Sequence, residues 1–160
     1  MIFVTTGTHY LPFDRLLKII NKLMTDYSIT DEVVIQSGSS KINVKNTNIQ
    51  PFYSYQQMIR HISEARVVIT AAGPATIFQV LTYGKNVPIV IPRTKKHNEH
   101  VSDHQLHFAK YLEKKSFCKM ISSAEELHHL IQYDHKIPIR QSLLPSNNLE
   151  KRLLTYLAND

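Results

Sequence analysis

The run Arg66-Val67-Val68-Ile69-Thr70 is β-branched and short, and Ala71-Ala72-Gly73-Pro74-Ala75-Thr76 follows it directly. Next come Ile77-Phe78-Gln79-Val80-Leu81-Thr82-Tyr83, closed by Gly84, and then Pro88-Ile89-Val90-Ile91, stopped by Pro92. The spacing predicts a buried strand, a tight turn, a helix over Ala75–Tyr83 and a second buried strand. Gly84 supplies the helix stop. Val67 to Gly84 carries no charge over 18 residues. A membrane span needs about 20 predominantly apolar residues. The Ala72-Gly73-Pro74 centre, with Thr70, Thr76, Gln79, Thr82 and Tyr83 around it, fits a buried strand and helix better.

The same alternation extends both ways. Ile2–Thr5 is a strand-like run stopped at Gly7, and Pro12-Phe13-Asp14 opens a helix through Leu16, Leu17, Ile19, Ile20 and Leu23. Proline suits a first helical turn because its missing donor would be unpaired there anyway. Val33-Val34-Ile35 is the second strand, ended by Gln36-Ser37-Gly38-Ser39-Ser40, and a third is expected near Ile49–Phe52. Ser54 can cap a helix bearing Met58, Ile59 and Ile62. Further on, Asp103–Lys114 reads as a helix, Phe117–Ile121 as a short strand, and Ser123 as the cap of a helix through Leu127, Leu130 and Ile131. Strand and helix alternate with short loops, which predicts an α/β domain: a Rossmann-like, doubly wound parallel sheet covered on both faces.

With 160 residues, one main domain is expected, and 42% apolar against 20% charged residues is an ordinary globular balance. No large two-domain enzyme fits this length, so a cleft between domains would need its second wall from elsewhere. One cysteine, Cys118, excludes an internal disulfide framework and suits a reducing compartment; it reads as small apolar filler. No basic segment precedes an apolar stretch at the start, so no secretory signal is expected. The formal net charge of +6 favours anionic ligands or surfaces. Its bases occur only in short pairs such as Lys95-Lys96, and no nucleic-acid motif accompanies them, so nucleic acid is not an expected partner. The Asp14-Arg15 and Glu125-Glu126 charges read as helix caps in contact with solvent.

In a sheet of this kind ligands bind beyond the carboxyl ends of the strands. That rule selects Thr5-Thr6-Gly7-Thr8-His9, Gln36-Ser37-Gly38, the loop Ala71 to Thr76, and Arg93 to Gln105. Small residues before a helix let a phosphate approach backbone N–H groups at the positive end of the helix dipole. Gly73-Pro74-Ala75-Thr76 therefore suggests a phosphate or diphosphate, or simply a tight turn. GxGxxG and P-loop signatures are absent. The run His97 to His107 places His100 and His104 four apart, which on one continuous helix would share a face. A zincin would need HExxH, whereas Glu99 precedes His100. No metal and no cofactor is expected, although a metal-dependent hydrolase built on this run stays open.

The stretches MIFVTTGTHYLPFDRLL, VVIQSGSS, ARVVITAAGPATIFQVLTYGKNVPIVIPR and EHVSDHQLHFAKYLE together resemble glycosyltransferase family 28 C-terminal domains over roughly residues 1–130. The resemblance extends to the PssE-like small subunits of bacterial two-part exopolysaccharide and capsule glycosyltransferases. It is similar, too, to the catalytic half of the enzyme that adds the second GlcNAc to dolichol diphosphate. It implies a GT-B C-terminal half-domain over residues 1–135, with 136–160 as linker and partner-contacting C-terminal helix. Leu149, Leu153, Leu154 and Leu157 supply that helix with an apolar stripe.

The resemblance further implies sugar transfer from a UDP-sugar, with inversion, to a lipid-linked acceptor, active only with a membrane-anchored PssD-like partner subunit. The chain would then be cytoplasmic and peripheral to the inner face of the membrane. Residue by residue, Gly7, Thr8 and His9 would face the diphosphate or the acceptor, with His9 the candidate general base unless the partner supplies one. Gln36 and Gly38 would join the donor site. Phe52 and Tyr53 match the segment whose backbone reads uracil, and Gly73, Pro74, Ala75 and Thr76 match the diphosphate loop. Gln79 stands where MurG-like enzymes carry a carboxylate on the ribose. His104 and Gln105 match a pair contacting sugar hydroxyls, with Glu99, His100 and Asp103 nearby. Two positions depart from the pattern: Ala71 stands where many relatives have histidine, and Gln79 is neutral. A non-catalytic nucleotide-sugar-binding subunit is therefore the alternative.

Overall fold

The structure, a computed structural model, describes residues 1–133 together with Pro138 and Ile139. Its strands are β1 (Ile2–Thr5), β2 (Val33–Gln36), β3 (Asn48–Gln50), β4 (Val67–Thr70), β5 (Ile89–Val90) and β6 (Lys119–Met120). The helices are α1 (Asp14–Asp26), α2 (Tyr55–Glu64), α3 (Pro74–Tyr83), α4 (His104–Lys114) and α5 (Ala124–Tyr133), with a 3-10 turn at Lys95–His97. All six strands are parallel, in the order β3-β2-β1-β4-β5-β6. The order reverses between β1 and β4, which are in register from Ile2↔Val67 to Thr5↔Thr70. This is the doubly wound arrangement expected of the alternating elements, and its ligand crevice belongs where the order reverses.

The central strands β1, β2 and β4 are buried along their whole length because both faces are covered, whereas the edge strands β3 and β6 are partly exposed. Ile2 and Val4 of β1, with Val67 and Ile69 of β4, face Leu16, Leu17 and Ile20 of α1 and Leu127 and Ile131 of α5. Phe3, Val34 and Val68 point the other way, onto Met58 and Ile62 of α2 and Val80 of α3. On that same side Ile77 and Leu81 of α3 join Val90, Phe108 and Leu112. The two-residue alternation along each strand assigns every side chain to a face. Among the described residues, no helix is long and apolar enough to cross a membrane.

Helix α2 begins as its sequence suggests. Ser54 Oγ accepts from Gln57 N at 3.3 Å, and Gln57 Oε1 accepts from Ser54 N at 2.9 Å, a reciprocal capping box. Ser123 Oγ likewise accepts from Glu126 N at the start of α5. Several expectations need correction. The third strand ends at Gln50 and not Phe52, since Pro51 has no N–H to continue the ladder. The strand expected over Pro88–Ile91 shortens to Ile89–Val90 for the same reason, although Ile91 N still donates to Thr70 O. The single sequence run over His97–His107 is a 3-10 turn, a loop and then the start of α4, so His100 and His104 do not share a helix. Arg15 is not simply solvated, because it forms an ion pair with Glu99. The expected final helix with its leucine stripe lies outside the described residues.

Candidate functional site

Thr6 N donates to Gln36 O at 3.0 Å, after which the chain turns sharply at Gly7, whose φ is +78°. Gly7 N is pinned by Thr5 Oγ1 at 3.1 Å, and a Cβ placed on Gly7 would meet nothing within 4 Å. The turn thus needs glycine for its left-handed backbone and leaves open space beside it. Gly38, at the end of β2, has φ +58° and is crowded as well. A Cβ there would lie 2.6 Å from Thr6 Oγ1 and 2.7 Å from Gly7 O. The two glycines therefore let adjacent strand ends touch through their backbones.

Gln36 sits beneath this contact, only 2% exposed. Its Nε2 donates to Thr5 Oγ1 at 2.9 Å, and its Oε1 accepts from Tyr53 N at 3.0 Å. Both ends of the amide are engaged within the protein, so Gln36 braces the site from below. It fixes Tyr53, whose ring packs edge-on to His61 with centroids 4.7 Å apart. Phe52, one residue earlier, is exposed at the rim.

Gly73 is the N-cap of α3, with Pro74 in the first turn and no capping side chain. Its backbone is extended, and a Cβ would meet nothing within 4 Å, so here glycine's contribution is room and not a special dihedral. The first-turn N–H groups of Ala75 and Thr76 have no side-chain cap, which leaves them for a ligand or solvent. Ala75 is exposed, while Thr76 and Gln79 are half-buried. Because β1 and β4 are neighbours, this helix end and the Gly7 loop stand side by side at the reversal of strand order. Thr8 is exposed on the same edge.

The loop after β5 is organised by Arg93, which is 1% exposed. Its Nη1 donates to the carbonyls of Leu11 at 2.8 Å, Pro12 at 3.3 Å and Glu99 at 3.1 Å, and its Nη2 donates to Thr6 O at 2.9 Å. The guanidinium also lies over the Phe13 ring, 4.6 Å from its centroid. Burial pulls its pKa down to about 10, so the group stays charged near neutrality. A planar, always available fork of donors is what collecting four carbonyls requires. Glu99 is 4% exposed and accepts from Arg15 Nε at 2.9 Å, Arg15 Nη2 at 2.8 Å and Thr94 N at 3.2 Å.

Asp103 Oδ1 accepts from Lys95 N, and Gln105 Oε1 accepts from Arg93 N. The carboxylates of Glu99 and Asp103 and the carbonyl of Gln105 thus also shape their own loop. His104 is the first residue of α4 and is exposed. The roles of Arg15 and Arg93 are not evident from sequence; the available signal is one arginine directly after a strand closed by Pro92.

His9 and His100 meet across the mouth of the Gly7 loop, with ring centroids 4.8 Å apart. His9 Nδ1 accepts from Leu11 N at 3.2 Å. Burial, then the Arg93 charge, then His100 hold the His9 pKa below its ordinary value, so this ring is neutral at neutral pH. Among the described residues, no group of three or more His, Cys, Asp or Glu side chains is arranged to hold a metal ion.

The glycosyltransferase family 28 C-terminal domain model matches residues 1–155. Among solved structures, MurG from Acinetobacter baumannii superimposes with a TM-score of 0.59 at 21% identity, over 84% of this chain and 41% of that one. The glycotransferase of kitacinnamycin gives 0.57 at 14% identity, over 89% and 37%. SnogD, a glycosyltransferase from Streptomyces nogalater, gives 0.56 at 15% identity, again over 89% and 37%. These likenesses show a shared fold, and the chain spans less than half the length of each. No curated protein matches the chain. With the family match running over nearly the whole chain and the fold that of a GT-B half-domain, the chain belongs to the glycosyltransferase family 28 C-terminal domain family.

Proposed function

We propose that the chain is the donor-binding half of a two-part inverting glycosyltransferase that takes sugar from a UDP-sugar to a lipid-linked acceptor. The observation that carries this reading is the pairing of the left-handed Gly7 turn with the uncapped N-terminus of α3 at the reversal of strand order. Both leave free space for one ligand, and the α3 terminus adds N–H groups without a side-chain cap, which an anionic diphosphate would satisfy. The acceptor hydroxyl attacks the anomeric carbon and the bond from that carbon to the phosphate oxygen breaks. UDP departs with the electron pair, and the fixed dipoles of the site meet its growing charge. The second wall of the cleft belongs to a membrane-anchored, PssD-like partner. This agrees with solved relatives more than twice as long as the matched part. That association would place the chain at the cytoplasmic face of a membrane, in exopolysaccharide or capsule synthesis.

A non-catalytic, nucleotide-sugar-binding subunit is the second reading, favoured by Ala71 before the diphosphate loop and neutral Gln79 on α3. Calorimetry with UDP tests the donor site that both readings share. Gly73→Ala should bind UDP, since a methyl group meets nothing there, whereas Gly73→Asp should remain folded and lose binding. A folded Gly73→Asp variant with wild-type affinity removes the assignment. Sugar transfer by the assembled complex then separates the catalytic from the non-catalytic reading.

A further inference from the structure

His9 and His100 come from loops after different strands, β1 and β5, yet their rings lie 4.8 Å apart at an interplanar angle of 32°. Each ring has its Nδ1 committed to a backbone donor. His9 Nδ1 accepts the Leu11 amide at 3.2 Å, and His100 Nδ1 accepts the Ser102 amide at 3.3 Å. A ring nitrogen that accepts a hydrogen bond from an amide carries no proton of its own. In the neutral imidazole the proton must then sit on Nε2. The Leu11 amide thereby holds His9 in one tautomer, and the Ser102 amide favours the same form of His100, whose Nδ1 also lies 3.3 Å from Ser102 Oγ; among the described residues neither Nε2 has a hydrogen-bond partner.

A base that acts through Nε2 needs a lone pair there, and this tautomer has a proton instead. We propose that His9 and His100 act together as a pair of N–H donors to a phosphate oxygen of the nucleotide donor, and that His9 is not the general base. This rests on the donor-site reading above and assigns its chemistry. Two neighbouring N–H donors suit an acceptor-only ligand, an anionic oxygen, better than a sugar hydroxyl that must also donate. The charged groups around the pair agree. The Arg93 guanidinium is bonded to Leu11 O and Glu99 O in the same two loops, while the Glu99 carboxylate is held by Arg15 and Thr94 and does not compete for the ring protons. As the glycosidic bond breaks, charge accumulates on the leaving diphosphate and these bonds strengthen. The proton of the attacking hydroxyl must then go to a base on the other half of the enzyme.

UDP and uridine calorimetry on the folded chain tests this, with His9→Ala, His9→Gln and His100→Ala. Glutamine can place an amide N–H near the position of imidazole Nε2 but cannot serve as a base. The expected result is UDP affinity reduced on the order of tenfold in each alanine variant and restored to within about threefold in His9→Gln. Uridine, which lacks phosphate, should be affected by none of them. Nitrogen-15 spectra of the wild-type imidazoles should show both protons on Nε2. Unchanged UDP affinity in His9→Ala and His100→Ala, or a proton on His9 Nδ1, overturns the proposal. Absence of UDP binding by the wild-type chain removes it too, together with the donor-site reading, and is distinguishable because no variant is then needed.

Discussion

Arg15 of α1 and Glu99 of the loop after β5 are joined at two points, Nε to Oε1 at 2.9 Å and Nη2 to Oε2 at 2.8 Å, across 84 positions of sequence. The pair ties the helix that follows the Gly7 turn to the loop that carries His100. Glu99→Ala leaves Arg15 and the Thr94 amide without this acceptor. Charged hydrogen bonds of this kind contribute about 1.5–3 kcal/mol, so a loss of about 2 kcal/mol is expected in urea unfolding. A variant as stable as wild type would show the pair to be energetically idle.

Gly7 and Gly38 both have positive φ, but the consequences of adding a methyl group differ. At Gly7 the only cost is the left-handed backbone, about 1–2 kcal/mol. At Gly38 the new Cβ also collides with Thr6 Oγ1 and Gly7 O, so Gly38→Ala should lose about 2–4 kcal/mol. Thermal unfolding of the two variants checks the order. Equal losses would mean that the strand ends separate easily.

Arg66 bonds Asp31 with both Nε, at 2.8 Å, and Nη2, at 2.5 Å, and holds the Asp31 carboxyl below its ordinary 3.8. A depressed folded pKa adds stability that is complete above the unfolded value and is lost as pH falls through the folded one. Asp31→Ala should therefore cost about 1–3 kcal/mol at pH 7 and progressively less below pH 3.8. Urea unfolding at several pH values reads this directly. A cost independent of pH would assign the loss to packing instead of charge.

Cys118 is 1% exposed, with its thiol 3.6 Å from Ala109 O, and burial pushes its pKa up to about 12. The reactive species is the thiolate. Labelling by an aromatic disulfide at pH 8 should be negligible in the native protein and complete once urea unfolds it. Rapid native labelling would mean that the β6 edge opens.

The sheet and its crevice were legible in the sequence because fully buried strands need unbroken apolar runs, and Val67–Thr70 and Ile2–Thr5 are such runs. The cap at Ser54 was legible for a local reason as well, since its partner lies within one helical turn; the return bond from Gln57 is the structure's addition. Strand limits at Pro51 and Pro88 depended on a donor missing from the ladder, which apolar spacing does not register. The inward commitments of Gln36, Glu99, Asp103 and Gln105 were not legible. A polar residue in a ligand-facing loop has the same spacing whether it bonds a ligand or the neighbouring backbone, and only the tertiary contact separates the two. Arg93 shows the converse. Its four carbonyl partners come from the loop after β1 (Thr6, Leu11 and Pro12) and the loop after β5 (Glu99), and no local pattern announces such a convergence.

The central position of β1 has a kinetic consequence. Its neighbours pair Ile2 with Val33 and with Val67, so neither contact is local. Each closes a long loop, and the entropy of closure is spent before any ladder hydrogen bond is returned. Hairpins cannot nucleate this sheet, because parallel neighbours must await their crossovers. The middle of the sheet should form only once α1 and α2 have collapsed on it. Folding should then be slower than in a helical bundle of equal length, with the amides of β1 and β4 among the last to exchange with solvent.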